Sequence, residues 1–265
     1  MEKEFYDAVN GGKVEEVKEI LRSNPNLKVN WKNEKDNDYT ALIIACENGH
    51  DSIVRILLAH PDIDVNVKNG SGYTPFNIAR VYGRISCVRL LLRDSRVNPN
   101  EPDYLGHTPL WSAAGGDHLD FIEWWIASGR EMDLGKPGDV DSTDAISRAK
   151  KEGKTEIATL LEGFKSDAAQ TRHAVRVELG FVELAAEVFA LVVFVSDGLL
   201  QIKNTTTATP AARFFSIAGR LPLELQMMLC FRQVGSAKEI NPGKKSEVAF
   251  KELARRLMWS SFFAK

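Results

Sequence analysis

Three threonines spaced 34 residues apart constrain this chain more than any other feature. Thr40, Thr74 and Thr108 each open a short apolar helix that ends near a glycine, and a second helix with one apolar face follows. A threonine hydroxyl can cap a helix, and the prolines after Thr74 and Thr108 suit the first helical position, where no backbone donor is needed. Such a short helix pair cannot bury its apolar face alone, so we expect the copies to stack.

The pattern continues toward both ends of the chain. The first repeat, Phe5–Leu21, lacks the threonine and is rich in Glu and Lys, as expected for a cap with one face in water. A fifth repeat begins near Asp144, where Asp replaces Thr, and its second helix is expected to end near Leu161, with Gly163 as a stop signal. The pattern therefore predicts an all-α solenoid of about five repeats in residues 1–166.

These motifs resemble the ankyrin repeat. The tetrapeptides at Thr40–Ile43, Thr74–Asn77 and Thr108–Trp111 match its T-P-L-H opening, and Asn48–Leu58 matches its second helix. The resemblance implies stacked helix pairs with turns that protrude between repeats. It also implies a protein that binds other proteins rather than one that catalyses a reaction.

The resemblance further implies which positions line the concave face: the tip of each turn, the residue before each Thr, and the residues before the inter-helix glycine. Four of the chain's five tyrosines fall in this set. Tyr and Trp are enriched at interface hot spots, so the set favours a binding face; the alternative is that these aromatics only pack neighbouring turns. The predicted partner-binding residues are Asp36, Asn37, Tyr39, Glu47, Asn48, Ser71, Tyr73, Val81, Tyr82, Tyr104, Leu105, His107 and Trp111.

Two adjacent tryptophans stand out in the fourth repeat. Trp124 and Trp125 lie where other repeats carry aliphatic residues, so at least one of them should fill the gap between helices. On this basis Trp125→Ala should loosen the fourth and fifth repeats together.

Charge and cysteine content argue against several other functions. Lys+Arg 34 against Asp+Glu 36 leaves a formal net charge of -2, so no global field favours nucleic acid or an anionic membrane. The three cysteines form no CxxC pair and have no histidine at metal-ligand spacing. The sequence has no phosphate-binding glycine loop and no evident pairing of a nucleophile with a base. We therefore predict a non-enzymatic protein without catalytic residues, metal site or cofactor.

The expected location is intracellular, either cytoplasmic or nuclear. The first residues are charged and contain no apolar segment of signal-peptide length. The longest apolar run, Val188–Val195, is far shorter than the roughly 20 residues needed to cross a bilayer.

Residues 167–265 lack the repeat and are predicted to form a separate bundle of about four helices. Ser166–Thr171 is expected to be a polar connection. Apolar residues at three- and four-residue steps then predict a long helix from Val175 to Ile202.

One segment of this region, Leu221–Leu229, resembles the first helix of an F-box, and an F-box-like segment behind ankyrin repeats is also the arrangement of the poxviral PRANC proteins. The resemblance implies docking to the F-box-binding subunit of a ubiquitin ligase through residues 221–231. Three functions stay open: a protein-binding scaffold, a ligase substrate adaptor, or a C-terminal bundle that self-associates or has an unrecognised activity. The predicted ligase-docking residues are Leu221, Pro222, Leu225 and Met228.

Overall fold

A computed structural model of the chain describes residues 1–135 and 144–181. Its first compact unit, Met1–Thr171, contains five helix pairs, and each pair corresponds to one predicted repeat. Within the described ranges the chain forms eleven α-helices. They are α1 (Glu2–Asn10), α2 (Val14–Ser23), α3 (Ala41–Asn48), α4 (Asp51–Leu58), α5 (Pro75–Val81), α6 (Ile85–Arg93), α7 (Pro109–Gly115), α8 (Leu119–Ser128), α9 (Ala145–Lys151), α10 (Thr155–Ser166) and α11 (Ala168–Glu178).

The helix pairs stack in two rows. The first helix of each pair packs on the first helix of the next, so α1, α3, α5, α7 and α9 form one row. The second helices, α2, α4, α6, α8 and α10, form the other. Each repeat thus buries its apolar faces against its neighbours, and the predicted all-α repeat solenoid is confirmed.

Equivalent positions in successive repeats form the core. Two residues after each capping threonine, and again in the last part of the second helix of the same repeats, the side chain is completely buried. Burial of this kind stabilises by about 1.5–3 kcal/mol for each large apolar side chain. These positions are Leu42, Phe76 and Leu110 in the first helices, and Leu57, Leu91 and Trp125 in the second helices.

The repeated threonines cap the first helices as expected. The hydroxyls of Thr40, Thr74 and Thr108 each accept a hydrogen bond from the backbone amide three residues later, at 3.4, 3.3 and 3.2 Å. The carboxylate of Asp144 accepts the same bond from the amide of Ser147, at 2.6 Å. Asp144 therefore opens the fifth repeat with the chemistry that threonine supplies elsewhere.

The cap at Asp144 should make the stability of the fifth repeat depend on pH. Burial opposes the charged form, but hydrogen bonds from Ser147 and the charges of two nearby lysines outweigh it, so the pKa of Asp144 is lowered. Because its folded pKa lies below the unfolded value of about 3.9, the stabilisation is present above that pH and is lost as the pH falls through the folded pKa.

We therefore expect Asp144→Ala to cost about 1 kcal/mol at pH 7 and less at pH 3. Asp144→Thr should keep the cap. Its stability should fall less from pH 7 to pH 3 than that of the unaltered chain. Thermal unfolding at each pH measures the difference. An Asp144→Thr chain with an unchanged pH dependence would contradict the assignment.

The second helix of the fifth repeat is longer than predicted. α10 runs to Ser166, so the predicted end near Leu161 and the stop at Gly163 are wrong. Glycine stops a helix where it adopts a left-handed conformation, whereas Gly163 lies inside α10. A Cβ at this position would lie 3.3 Å from the Thr171 hydroxyl oxygen, so Gly163 allows Thr171 to approach closely.

The predicted polar connection Ser166–Thr171 is also wrong. Only Asp167 separates α10 from α11, and its carboxylate accepts a hydrogen bond from the Gln170 amide at 2.9 Å. Asp167 caps this helix, and the residues that follow it, such as Ala and Gln, have high helix propensity.

The long helix predicted near the start of the C-terminal region differs from the one observed. α11 ends at Glu178, and Gly180 follows with a φ of +72°, so the helix predicted from Val175 to Ile202 is interrupted. The rest of that helix, most of the predicted bundle of residues 167–265 and the F-box-like segment lie beyond residue 181, outside the described residues. The domain boundary after residue 166 stays a prediction.

Of the two tryptophans, Trp125 is the one that fills the interior. Its ring centroid lies 5.4 Å from that of Phe76 in the third repeat and 5.7 Å from that of Phe121 in the fourth. Trp124 is half-buried, with the Arg89 guanidinium 4.0 Å from its ring centroid. Because Trp125 joins the third and fourth repeats, its loss should loosen those repeats rather than the fourth and fifth.

Candidate protein-binding face

Turns of similar construction, here called fingers, join successive repeats at residues 33–39, 69–73 and 103–107. Each finger closes with a backbone hydrogen bond between its first and last residue, at 2.8, 3.1 and 3.0 Å. In the second and third fingers the side chains of Asn69 and Asp103 each accept two backbone amides, at 2.9 to 3.1 Å. This self-capping geometry holds the residue before each capping threonine, Tyr73 or His107, at the base of its finger.

Neighbouring fingers touch along a row. The carbonyl of Asn37 accepts a hydrogen bond from the Gly70 amide at 2.9 Å, and its side chain donates to the Ser71 hydroxyl at 3.2 Å. Tyr104 lies so close to Gly72 that a Cβ there would sit 2.5 Å from the Tyr104 nitrogen. The fingers therefore hold one another in place and present their tips as one surface.

A second set of inter-repeat contacts was not predicted. The side chains of Asn30, Asn66 and Asn100 each donate to a backbone carbonyl of the next repeat, at 2.7, 2.8 and 3.2 Å. Each also accepts a backbone amide of that repeat, at 2.9, 2.7 and 3.0 Å. The recurrence of an asparagine just after Val29, Val65 and Pro99 was the available signal in the sequence.

All thirteen predicted partner-binding residues are at least partly exposed. Among the large hydrophobic members, the most exposed are Leu105 (76%), Tyr104 (65%) and Tyr82 (43%). The fifth tyrosine, Tyr6, which was not in the predicted set, is buried. The structure brings eight of the thirteen together in three groups.

The first group combines tyrosine hydroxyls with carboxylates. Burial raises the pKa of Tyr39 and of Tyr82, and the hydrogen bonding and negative charge of Glu47 raise both further. The Tyr6 hydroxyl donates to the Asp36 carboxylate, and burial together with this bond raises the pKa of Tyr6. Neither Asp36 nor Glu47 forms an ion pair with a basic side chain of residues 1–135 and 144–181. This end of the face therefore has negative charge beside aromatic rings.

The second group is the tip of the third finger, where Tyr104 and Leu105 project into solvent. The Nζ atom of Lys68 lies 5.7 Å from the centroid of the Tyr104 ring and 2.9 Å from a carboxylate oxygen of Glu101. These contacts orient the ring while leaving most of its surface exposed.

The third group is a stack around Trp111. The His107 ring lies parallel to the Trp111 ring, with centroids 4.4 Å apart, and the Arg148 guanidinium carbon lies 4.5 Å from the Trp111 centroid. An Asp103 carboxylate oxygen lies 3.4 Å from His107 Nδ1. Trp111 therefore joins the fourth repeat to the fifth, and changing it would disturb packing as well as the surface.

Arg80 in α5 is a polar feature that the sequence reasoning missed. It is only 6% exposed, donates no hydrogen bond and forms no ion pair within the described residues. The equivalent positions 34 residues away on either side are Cys46 and Ala114, both fully buried. A charged residue at a repeat position that is small and apolar in the neighbouring repeats was the signal that could have revealed it.

No helix of residues 1–135 and 144–181 is long and apolar enough to cross a membrane. The same residues contain no group of three or more His, Cys, Asp or Glu side chains placed to hold a metal ion.

Capped helix pairs stacked in two rows, with interlocked fingers between them, define a helical-repeat protein whose recognition surface is built from successive repeats. The family model for ankyrin repeats (3 copies) matches residues 5–103, so this part of the chain belongs to the ankyrin repeats. Among curated proteins, none matches the chain. Ankyrin repeats indicate a protein–protein interaction module.

Proposed function

We propose that the repeats are a non-enzymatic scaffold that binds a protein partner across the fingers and the exposed ends of the first helices. The observation that carries this proposal is where exposed apolar surface occurs. Among the described residues, the large hydrophobic side chains that are exposed are Met1, Val81, Tyr82, Tyr104, Leu105 and Val177. Four of the six belong to the predicted partner-binding set.

Exposed apolar side chains that gather on one surface, rather than scatter singly, are typical of an interaction site. Tyr82 and Tyr104 combine a large apolar ring with a polar end, which suits hot spots at the centre of an interface. The row of fingers also holds its residues in place before binding, so little conformational entropy is lost when a partner is ordered on it. The cytoplasmic or nuclear location belongs to the same proposal.

The predicted ligase-docking residues and the proposed activities of the C-terminal bundle lie outside the described residues. The adaptor and self-association functions therefore stay predictions from sequence.

Selection of binders tests the proposal. A display library of random peptides, panned against the full chain, should give peptides whose affinity falls about 30-fold on Tyr82→Ala or on Tyr104→Ala, the scale of an interface hot spot. Surface substitutions usually change stability by less than about 0.5 kcal/mol, so the melting temperature should scarcely move.

Arg55→Ala is the matched control, because Arg55 is exposed on the second-helix row. It should leave the affinity of the selected peptides unchanged. If no selected peptide depends on Tyr82 or Tyr104, the binding face lies elsewhere and the proposal fails.

A further inference from the structure

Arg80 is a buried cation without a counter-ion in contact. Its Nε atom is enclosed and has no acceptor, and the Nδ2 atom of Asn77, one turn earlier on α5, is in the same condition. The terminal nitrogens of Arg80 also lack an acceptor but are not enclosed, so they reach solvent while the rest of the side chain is covered. Two donor groups on one side of α5 are thus left unsatisfied.

The nearest charged and titratable groups do not satisfy Arg80. Burial lowers its pKa, and the electrostatic influence of Tyr73 and Asp103 opposes this without a hydrogen bond or ion pair to either residue. Asp103 already accepts the amides of Leu105 and His107 through Oδ1, and Oδ2 faces the His107 ring. The third neighbour is His118, whose pKa is lowered by burial and by the positive charge of Arg80.

A buried guanidinium without a partner is costly, and an apolar side chain of similar size at the same place is often more stable. Cys46 and Ala114 at the equivalent positions show that the fold itself has no need of a charge there. An arginine at this position therefore lowers the stability of the free protein, as functional residues of binding sites commonly do.

We propose that Arg80 anchors, through its terminal nitrogens, a carboxylate of the bound partner, an Asp or Glu side chain. This inference rests on the proposed function and adds the chemistry of one partner residue. A carboxylate matches the two parallel donors of a guanidinium. Val81 and Tyr82, the next two residues in the chain, are exposed and can supply apolar contact. The preferred partner segment thus carries an acidic residue flanked by apolar ones.

The peptides selected against the full chain test this anchor. They should share an Asp or Glu at one position, and replacing it with Asn or Gln should weaken binding about 30-fold, as expected when one partner of a buried charge pair is removed. Arg80→Met should weaken the acidic peptide by a similar factor and should bind the acidic and amide peptides equally. Arg80→Lys should recover only part of the affinity, because it keeps the charge without the planar fork.

Stability supplies the second measurement. Arg80→Met removes an unpaired buried charge, so its melting temperature should equal or exceed that of the unaltered chain. A fall of several degrees would show that Arg80 holds the fold together and would overturn the anchor.

The peptide results separate the two proposals. Peptides that need Tyr82 but show no acidic preference would overturn the anchor and leave the binding face standing. Peptides that need neither Tyr82 nor Tyr104 would overturn both.

Discussion

Trp125→Ala is expected to lower the free energy of unfolding by about 3–5 kcal/mol, the range for removing a buried aromatic side chain. Trp125 has no exposed surface, and its ring meets Phe76 and Phe121 edge-on. Its Nε1 atom also donates to the Glu131 carbonyl at 3.3 Å. An alanine would leave a cavity between the third and fourth repeats and would remove one of the two hydrogen bonds that the Glu131 carbonyl accepts.

The neighbouring tryptophan provides the control. Trp124 is half-buried and stacks with Arg89, so Trp124→Ala should cost only about 1 kcal/mol. Urea unfolding followed by circular dichroism measures both values. Because packing between neighbouring repeats stabilises each of them, amide hydrogen exchange in the Trp125→Ala chain should rise most in α5 to α8. Equal losses for the two variants would contradict the packing described for Trp125.

The sequence was sufficient to predict what depends on local chemistry repeated at a fixed period. The threonine spacing located the first helices, and Asp144 could be recognised as a substitute cap because its carboxylate can accept the same amide bond. The exposure of Tyr82 and Tyr104 also followed, since the periodic core positions were already assigned to other residues.

What could not be predicted depends on contacts between residues far apart in the chain. Glycine is a typical helix stop, but Gly163 lies inside α10, where Thr171 approaches it closely. Trp111 was expected to be offered to a partner, yet His107 and Arg148 stack on it, and Arg148 belongs to another repeat. Periodicity identifies which face of a helix is buried, but it does not show which side chain from the next repeat covers it.

The fingers also depend on a contact between residues far apart in the chain, that of Gly72 with Tyr104. Gly72→Ala should show how much stability depends on this contact. Gly72 has a φ of +84°, so any other residue there meets the left-handed penalty of about 1–2 kcal/mol. A Cβ would also lie 2.5 Å from the Tyr104 nitrogen and 2.7 Å from its Cγ atom, so the third finger must move. We expect a total loss of about 2–4 kcal/mol, from strain and steric overlap together.

Gly83 separates the two causes. Its φ of +62° imposes the same kind of backbone strain, but a Cβ there would meet nothing within 4 Å. Gly83→Ala should therefore cost only about 1–2 kcal/mol and leave peptide binding unchanged. Gly72→Ala should in addition weaken peptides that depend on Tyr104, because that ring is displaced with its finger. Equal stability losses and unaltered peptide affinity in both variants would mean that the fingers do not support one another.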